Sequence, residues 1–209
     1  DVKTNEGVTP LHNVASRSKD LKVIHYFIEN GNNINAADKN GSTPFLNAVK
    51  SNSIEVIESL LSQVENIEQA NKKGETALML AVQNNSAEVV ELLLSKEASI
   101  KAKDAKGNNL SYYLIESYSP RNENDFENKL QLLQNNGLEF TKPQDNGNTL
   151  IHLALDKNNA KFLKQIAQFE IDVNAVNKDG YTALHLAAMK ATDVKLLKHL
   201  LAIGANKEA

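Results

Sequence analysis

The chain has 209 residues, 41% of them hydrophobic and 23% charged, and its net charge is −3. This composition is typical of a globular protein and excludes a disordered chain, while the small net charge gives no global attraction to nucleic acid or to an anionic membrane. Since the chain has no cysteine, disulfides, thiolate metal sites and cysteine nucleophiles are excluded, and no apolar run approaches the roughly 18–20 residues that cross a bilayer, so we expect no membrane partner.

Six similar segments recur along the chain, each with a glycine shortly before an apolar stretch. In chain order they are "EGVTPLHNVA", "NGSTPFLNAV", "KGETALMLAV", "KGNNLSYYLI", "NGNTLIHLAL" and "DGYTALHLAA". The steps between their glycines are 34, 33, 33, 40 and 33 residues, so five of the six units keep one period. A fixed period of this length predicts a solenoid of stacked units that share one core.

Each unit has the pattern of a helix pair. After the first apolar segment and a polar break comes a second segment, such as "AEVVELLLS", in which Val89, Leu92 and Leu93 have the spacing of one helix face. The glycine suits a turn with positive φ, which other residues resist. The threonines that follow, such as Thr43 and Thr76, are predicted to cap the first helix.

Two of these segments resemble the ankyrin repeat closely. "EGVTPLHNVA" and "DGYTALHLAA…VKLLKHLLAIGA" match the family's G-x-TPLH-x-A and LL-x-x-GA pattern, and the resemblance recurs six times and covers the whole chain. It implies an all-α solenoid of six stacked helix-turn-helix units with β-hairpin fingers that are too short to form a true sheet. It also implies a concave surface, lined by the fingers and first helices, that binds other proteins.

The repeats predict a single domain over residues 1–209. Their approximate bounds are 4–37, 38–70, 71–103, 104–143, 144–176 and 177–209. The final "GANKEA" begins another finger and the sixth unit has no polar capping face, so we expect the segment to be a fragment of an array that continues beyond Ala209. The glycine after the second helix is replaced by Val64, Glu97 and Glu170 in units two, three and five, where looser helix ends are predicted.

Unit four departs most from the pattern. Its seven additional residues are predicted to lie between its two helices at 119–125, with Pro120 ending the first helix and Asn124 or Asp125 capping the second. Lengthening a surface loop costs only about 0.6 kcal/mol per doubling, so removing 119–125 is predicted to leave stability nearly unchanged. Three tyrosines cluster just before the insertion and suggest a specialised site: Tyr112, Tyr113 and Tyr118.

The sequence predicts neither a catalytic nor a metal site. His12, His152 and His185 share one repeat position, where the resemblance implies hydrogen bonds to the Thr and to the neighbouring finger. Adjacent helices pack about 8–10 Å apart, too far to share zinc, whose ligand atoms lie about 2 Å away. No nucleotide-binding, metalloprotease or nucleophile-elbow motif is present, and no cofactor is predicted.

The charges of units two to four differ between the two sides of the predicted stack. Finger and first-helix positions, which the family exposes on its concave side, carry Lys39, Lys50, Lys72, Lys73, Lys103 and Lys106, with Glu75 among them. The second helices carry Glu55, Glu58, Glu88 and Glu91. Tyr181 and Met189 form a second candidate patch in unit six.

Two interpretations of this charge pattern remain. Solenoids keep both faces soluble with mixed charge, or the lysines form a basic ridge for an acidic segment of a partner protein. Nucleic acid is disfavoured because the ridge shows no interleaved aromatic residues for base stacking. The sequence therefore predicts a monomeric, non-catalytic protein–protein interaction module, with a targeting or regulatory segment of a larger enzyme or effector as the alternative.

Overall fold

The computed structural model describes residues 2–190 and 194–208 and consists of successive helix pairs joined by short turns. The α-helices are α1 Pro10–Arg17, α2 Leu21–Glu29, α3 Pro44–Ser51, α4 Ile54–Leu61, α5 Ala77–Asn84, α6 Ala87–Ser95, α7 Leu110–Ser117, α8 Glu123–Asn135, α9 Leu150–Ala154, α10 Ala160–Ala167, α11 Ala183–Lys190 and α12 Val194–Ala202. Within the described residues, β pairing is limited to one bridge between Val176 and Thr182. The predicted all-α solenoid with fingers too short for a sheet is confirmed.

Some features of the predicted sixth repeat lie outside the described residues. These are residues 191–193 and the terminal Ala209. The first residue of the predicted 1–209 domain, Asp1, also lies outside them.

The first helices begin as the sequence predicts. The Thr43 hydroxyl accepts a hydrogen bond from the Leu46 amide at 3.2 Å, and the Thr76 hydroxyl accepts one from the Met79 amide at 3.4 Å. Each satisfies an amide that the first turn of a helix leaves without a main-chain partner. The predicted threonine caps are therefore confirmed.

One apolar core runs through the whole stack. Its buried members extend from Leu11 in the first repeat to Ala205 in the last, without a break between repeats. First helices contact first helices in the order α1, α3, α5, α7, α9 and α11, and second helices pack outside them. Because no repeat buries its apolar face alone, the stability of each repeat depends on its neighbours.

The fingers are linked by main-chain hydrogen bonds from each one to the next. The Lys72 amide donates to the Asn40 carbonyl and the Ala105 amide donates to the Lys73 carbonyl, both at 2.8 Å. The approach is so close that a methyl group on Gly74, whose φ is +76°, would lie 2.5 Å from the Ala105 nitrogen. Glycine is needed there both for its conformation and for the space it leaves.

Asparagine side chains link the turns of the first three repeats. Asn52 donates through its side-chain amide to the carbonyls of Ala15 and Ser18, at 2.7 and 2.8 Å. Asn85, one period later, donates to the carbonyls of Val49 and Asn52, at 2.8 and 3.0 Å. In repeat four this position holds Tyr118, so the asparagine link to repeat three is lost there.

The seven additional residues of repeat four are divided between turn and helix. Five residues separate α7 from α8, against two between α5 and α6, and α8 has 13 residues against nine in α6. Residues 123–125, predicted to lie in the turn, are therefore the first turn of α8. The predicted cap at Asn124 or Asp125 is wrong, since the cap position is Asn122.

Asp125 has a different role, because it joins repeat four to repeat three. Its carboxylate accepts a hydrogen bond from the Ala87 amide, at the start of α6, at 2.8 Å. Its other oxygen lies 2.8 Å from the ammonium group of Lys129, whose side chain is only 2% exposed. Tyr118 turns to the opposite neighbour and stacks on Phe162 with ring centroids 3.8 Å apart. The insertion is thus packed between both adjoining repeats.

Candidate partner-binding surface

The fingers of repeats three and four are built in the same way from exchanged residue types. In repeat three the Asn71 side-chain amide donates to the Glu75 carboxylate at 2.6 Å, and in repeat four the Asn108 amide donates to the Asp104 carboxylate at 2.9 Å. Each pair joins the two sides of its finger. The carboxylates are therefore held in place within the fingers.

Between these two fingers and the helices behind them lies a depression of about 410 Å³. We call it the finger depression. Its lining residues are Lys72, Lys73, Glu75, Gln83, Asp104, Ala105, Lys106, Asn108, Tyr112 and Tyr113. The lysines are exposed, Tyr112 is half-buried and Tyr113 is buried. Charged groups thus form the rim of the depression and aromatic rings form its floor.

Asp104 and Tyr113 form a hydrogen-bonded pair in the finger depression. The Tyr113 hydroxyl donates to the Asp104 carboxylate at 2.8 Å. Burial, and then the hydrogen bond to this carboxylate, hold the pKa of Tyr113 far above its ordinary value. Partial burial acts to raise the pKa of Asp104, but hydrogen bonds from Asn108, Tyr113 and the Lys106 amide outweigh it and keep that pKa below its ordinary value. Asp104 is consequently an anion with its oxygens already engaged.

Tyr112 occupies the repeat position that histidine holds in repeats one, five and six. Burial, followed by the nearby Glu116 carboxylate, raises the pKa of its hydroxyl above the ordinary value of 10. The contact that the histidine would make to the next finger is supplied instead by Asn109 and Gln144. The Asn109 main-chain amide donates to the Gln144 side-chain oxygen at 2.7 Å, and the Gln144 side-chain amide donates to the Asn109 side-chain oxygen at 2.9 Å.

The chemistry of the finger depression follows from these groups. Three exposed ammonium groups, those of Lys72, Lys73 and Lys106, face two carboxylates that are already hydrogen-bonded inside the fingers. The free donors at the rim therefore exceed the free acceptors. Such a surface can hold carboxylate or phosphate oxygens at its rim and an apolar or aromatic group against the Tyr112 ring.

The other lysines predicted to form the ridge lie outside this depression. Lys39 is 3.7 Å from Glu6, and Lys103 forms an ion pair with Asp145, so both already have anionic neighbours. Lys50, in the last turn of α3, holds the position that Gln83 has in α5. It lies one repeat away, exposed and on the same side of the stack.

Tyr181 and Met189 are far along the stack, in repeat six. Their exposed fractions are 38% and 69%, and they occupy the repeat positions that Glu75 and Gln83 hold in repeat three. Among the described residues, a methyl group on the adjacent Gly180 would meet no atom within 4 Å. They form a surface separate from the finger depression.

The prediction that the lysine ridge lacks aromatic residues is wrong. Tyr112 and Tyr113 line the same depression as Lys72, Lys73 and Lys106. The sequence shows both groups, but it separates them by one finger, and only the stacking of repeat four on repeat three brings them together. Gln83 also lines the depression, and the sequence indicates it only through its repeat position, which is equivalent to that of Lys50.

The histidines of repeats one and five make the hydrogen bonds that the resemblance implies. His12 Nδ1 lies 2.8 Å from the Thr9 hydroxyl, and its Nε2 lies 2.9 Å from the Ser42 carbonyl of the next finger. His152 repeats both contacts, with Thr149 and with Tyr181, at 2.8 and 3.1 Å. In the described part of the chain no three acidic or histidine side chains gather as metal ligands would, and no helix is long and apolar enough to span a membrane.

A family model for ankyrin repeats in three copies matches residues 11–104 and matches again over residues 113–209. The chain belongs to the ankyrin-repeat family. A curated relative, an ankyrin repeat protein of fowlpox virus strain NVSL, is 37% identical to this ankyrin-repeat chain over 59 residues, which are 28% of the chain and 10% of the relative. The match thus spans about a tenth of that relative's length.

Solved structures resemble the chain over nearly all of its length. A chain in the complex of the Bd0816 predatory endopeptidase from Bdellovibrio bacteriovorus with the immunity protein Bd3460 has a TM-score of 0.74 and 25% identity, covering 96% of this chain and 99% of that one. The human ASB11 ankyrin repeat domain has a TM-score of 0.76 and 19% identity, covering 97% and 86%. The second likeness is one of fold alone.

Proposed function

We propose that this ankyrin-repeat chain binds another protein without catalysing a reaction, and that the finger depression holds an acidic segment of that partner. The observation that carries the proposal is the meeting of Lys72, Lys73 and Lys106 with the Tyr112 ring in one depression. Ankyrin repeats act as protein-interaction modules, and the similar chain from the Bd0816 complex comes from an assembly of two proteins. Both facts support recognition of a protein.

The rigidity of the site favours binding. Its fingers are fixed to each other by main-chain hydrogen bonds, and its carboxylates are fixed by asparagine amides. Little conformational entropy is then lost when a partner docks. Attraction between the lysines and an acidic segment would accelerate association and weaken as salt screens it.

The test uses a defined acidic probe, the fluorescein-labelled peptide Glu-Glu-Asp-Phe-Glu-Glu, in fluorescence anisotropy. We expect binding that weakens between about 0.05 and about 0.3 M salt. The variant Lys72→Glu/Lys73→Glu/Lys106→Glu should weaken it by tenfold or more, roughly the effect of losing several charge-assisted contacts. The matched control Lys19→Glu/Lys22→Glu/Lys164→Glu makes the same change in net charge, at exposed positions outside the depression.

Two outcomes would overturn the proposal. Equal losses in the two triple variants would show that the probe responds to net charge and not to the depression. Tighter binding of a single-stranded thymidine oligonucleotide than of the peptide would instead identify nucleic acid as the ligand, since the tyrosines could stack on bases.

A further inference from the structure

A second groove is formed by the C-terminal ends of the second helices α4 and α6, and it shares no residue with the finger depression. It has a volume of about 500 Å³. We call it the helix-end groove. Its lining residues are Glu58, Leu61, Ser62, Val64, Glu65, Ile67 and Lys96.

The helix-end groove arises from the replacement of a glycine by Val64. At the same place repeat one has Gly31, with φ of 82°, and repeat three has Glu97, with φ of 63°. The residue after each closes the helix end: the Asn32 amide donates to the Phe27 carbonyl at 3.0 Å, and the Ala98 amide to the Leu93 carbonyl at 3.1 Å. The looser helix end predicted at Glu97 is therefore wrong.

Val64 does not adopt the left-handed conformation, because a β-branched side chain is strained there. Its amide donates to the Leu61 carbonyl at 3.3 Å. Helix α6 ends at Ser95, which is equivalent to Ser62 in repeat two. Helix α4 ends at Leu61, one residue before that position. The connection after α4 is consequently more open, and Val64 is left half-buried at the surface.

The groove combines an apolar floor with an acidic rim. Leu61, Val64 and Ile67 are half-buried and pack against the core from its floor. The carboxylates of Glu58 and Glu65 are exposed at the rim, and neither forms an ion pair with any residue the structure describes. Lys96 is the single cation of the lining.

The surface that continues from the groove is also acidic. Helices α4 and α6 contain four glutamates and no lysine or arginine: Glu55, Glu58, Glu88 and Glu91. All four side chains are exposed. A cationic segment would therefore meet a favourable field around the groove as well as within it.

We propose that the helix-end groove is a second docking site, which takes a short segment of a partner protein with an apolar side chain flanked by lysine or arginine. The apolar side chain contacts Leu61, Val64 and Ile67, and the flanking cations pair with Glu58 and Glu65. The site is independent of the finger depression and opposite to it in charge preference. A chain with both sites can hold an acidic and a basic segment at the same time.

The first test titrates the ¹⁵N-labelled chain with the peptide acetyl-Lys-Arg-Leu-Leu-Arg-Lys-amide and follows its amide signals by NMR. Saturable shifts are expected at Val64, Glu65 and Ile67, and weaker shifts with acetyl-Glu-Glu-Leu-Leu-Glu-Glu-amide. Shifts that spread over the outer helices without saturating, or equal binding of the acidic peptide, would overturn the proposal.

Two variants separate the groove from the general acidity of that face. Glu58→Lys/Glu65→Lys should weaken binding of the basic peptide by about tenfold. Glu88→Lys/Glu127→Lys makes the same change in net charge on α6 and α8, and it should weaken binding of that peptide by less than about threefold. The variant Val64→Gly, which allows the glycine-type helix closure of repeat one, should also weaken binding. Equal effects of the two charge variants would exclude the groove as the site.

Discussion

The side-chain amide of Asn85 donates a hydrogen bond to the main-chain carbonyl of Asn52 at 3.0 Å, so the same residue type links consecutive turns of the stack. Asn52 itself is 7% exposed and makes the equivalent bonds to repeat one. Each side chain satisfies two carbonyls that the ends of the preceding first helix leave without a partner. The link ends at Tyr118, and repeat four uses Asp125 in its place.

Replacing Asn85 should therefore weaken the contact between repeats two and three. Asn85→Ala leaves the carbonyls of Val49 and Asn52 without their donor, and we expect a loss of about 1–3 kcal/mol in the free energy of unfolding, measured in urea. The control Asn128→Ala changes an exposed asparagine of α8 and should stay within about 0.5 kcal/mol of the parent. Similar losses for both would mean that the link contributes nothing.

Two glycines with the same conformation should differ in their tolerance of alanine. Gly74 has φ of +76°, and an added methyl group would lie 2.5 Å from the Ala105 nitrogen. Gly180 has φ of +81°, and an added methyl group there would have no described atom within 4 Å. Gly180→Ala should cost only the left-handed strain of about 1–2 kcal/mol. Gly74→Ala should cost about 1–3 kcal/mol more because neighbouring fingers must separate. Equal losses in thermal or urea unfolding would contradict the close approach.

Asp125 should be more important than a surface carboxylate because it neutralises a buried ammonium group. Asp125→Ala leaves Lys129 buried without its counter-ion, and the expected loss is about 3–5 kcal/mol in the free energy of unfolding. Asp125→Ala/Lys129→Met removes the orphaned charge and should recover part of that loss. A double variant no more stable than the single one would show that the hydrogen bond to Ala87, and not the charge, is what matters.

The same contacts argue against the prediction that residues 119–125 can be removed without cost. Deleting them would remove Asp125 and also Glu123, which pairs with Lys161 of repeat five at 2.8 Å. The small entropic cost of a longer loop holds for solvated chain, whereas residues 119–125 contact both neighbouring repeats.

His152 should make the stability depend on pH. Burial lowers its pKa below the ordinary 6.5, although the hydrogen bond with the Tyr181 carbonyl opposes this. The unfolded chain thus binds more protons than the native one below pH 6.5, so stability is fully present above that pH and falls as the pH decreases toward the native pKa. His152→Leu, the residue type of Leu46 in repeat two, should flatten the dependence of the free energy of unfolding on pH below about pH 6.5.

A suitable control for this measurement is His25→Leu, which changes an exposed histidine of α2. The slope of stability against pH should persist in that variant. Persistence of the full slope in His152→Leu would exclude His152 as its source.

The regular part of the fold could be predicted from the sequence because the same residue types recur at equivalent positions of each repeat. The spacing of Gly41 and Gly74 fixes the period, Thr43 and Thr76 mark the helix starts, and the apolar spacing marks the buried faces. These features depend on contacts within a repeat or between identical positions in neighbouring repeats. The stacking of one repeat on the next therefore follows from the pattern.

The irregular features could not be predicted, since they depend on pairs of residues with no repeated counterpart. Asp125 has the sequence position of a helix cap, but its partners, Ala87 and Lys129, are recognisable only in three dimensions. The association of Lys72 and Lys73 with Tyr112 crosses from one repeat to another in the same way. In the sequence Val64 indicates only a missing glycine, whereas in the structure it changes where α4 ends and so creates a groove.

Lys129 is the only lysine with a fully buried side chain in the part of the chain that the structure describes. An amine-reactive acylating reagent can modify the exposed lysines at once, but it reaches Lys129 only when the joint between repeats three and four opens. The rate of its modification, followed by mass spectrometry, is thus a measure of how often the stack parts at that joint. Lys129 thus reports on this opening without any added label, and it lies in the repeat that departs most from the regular pattern.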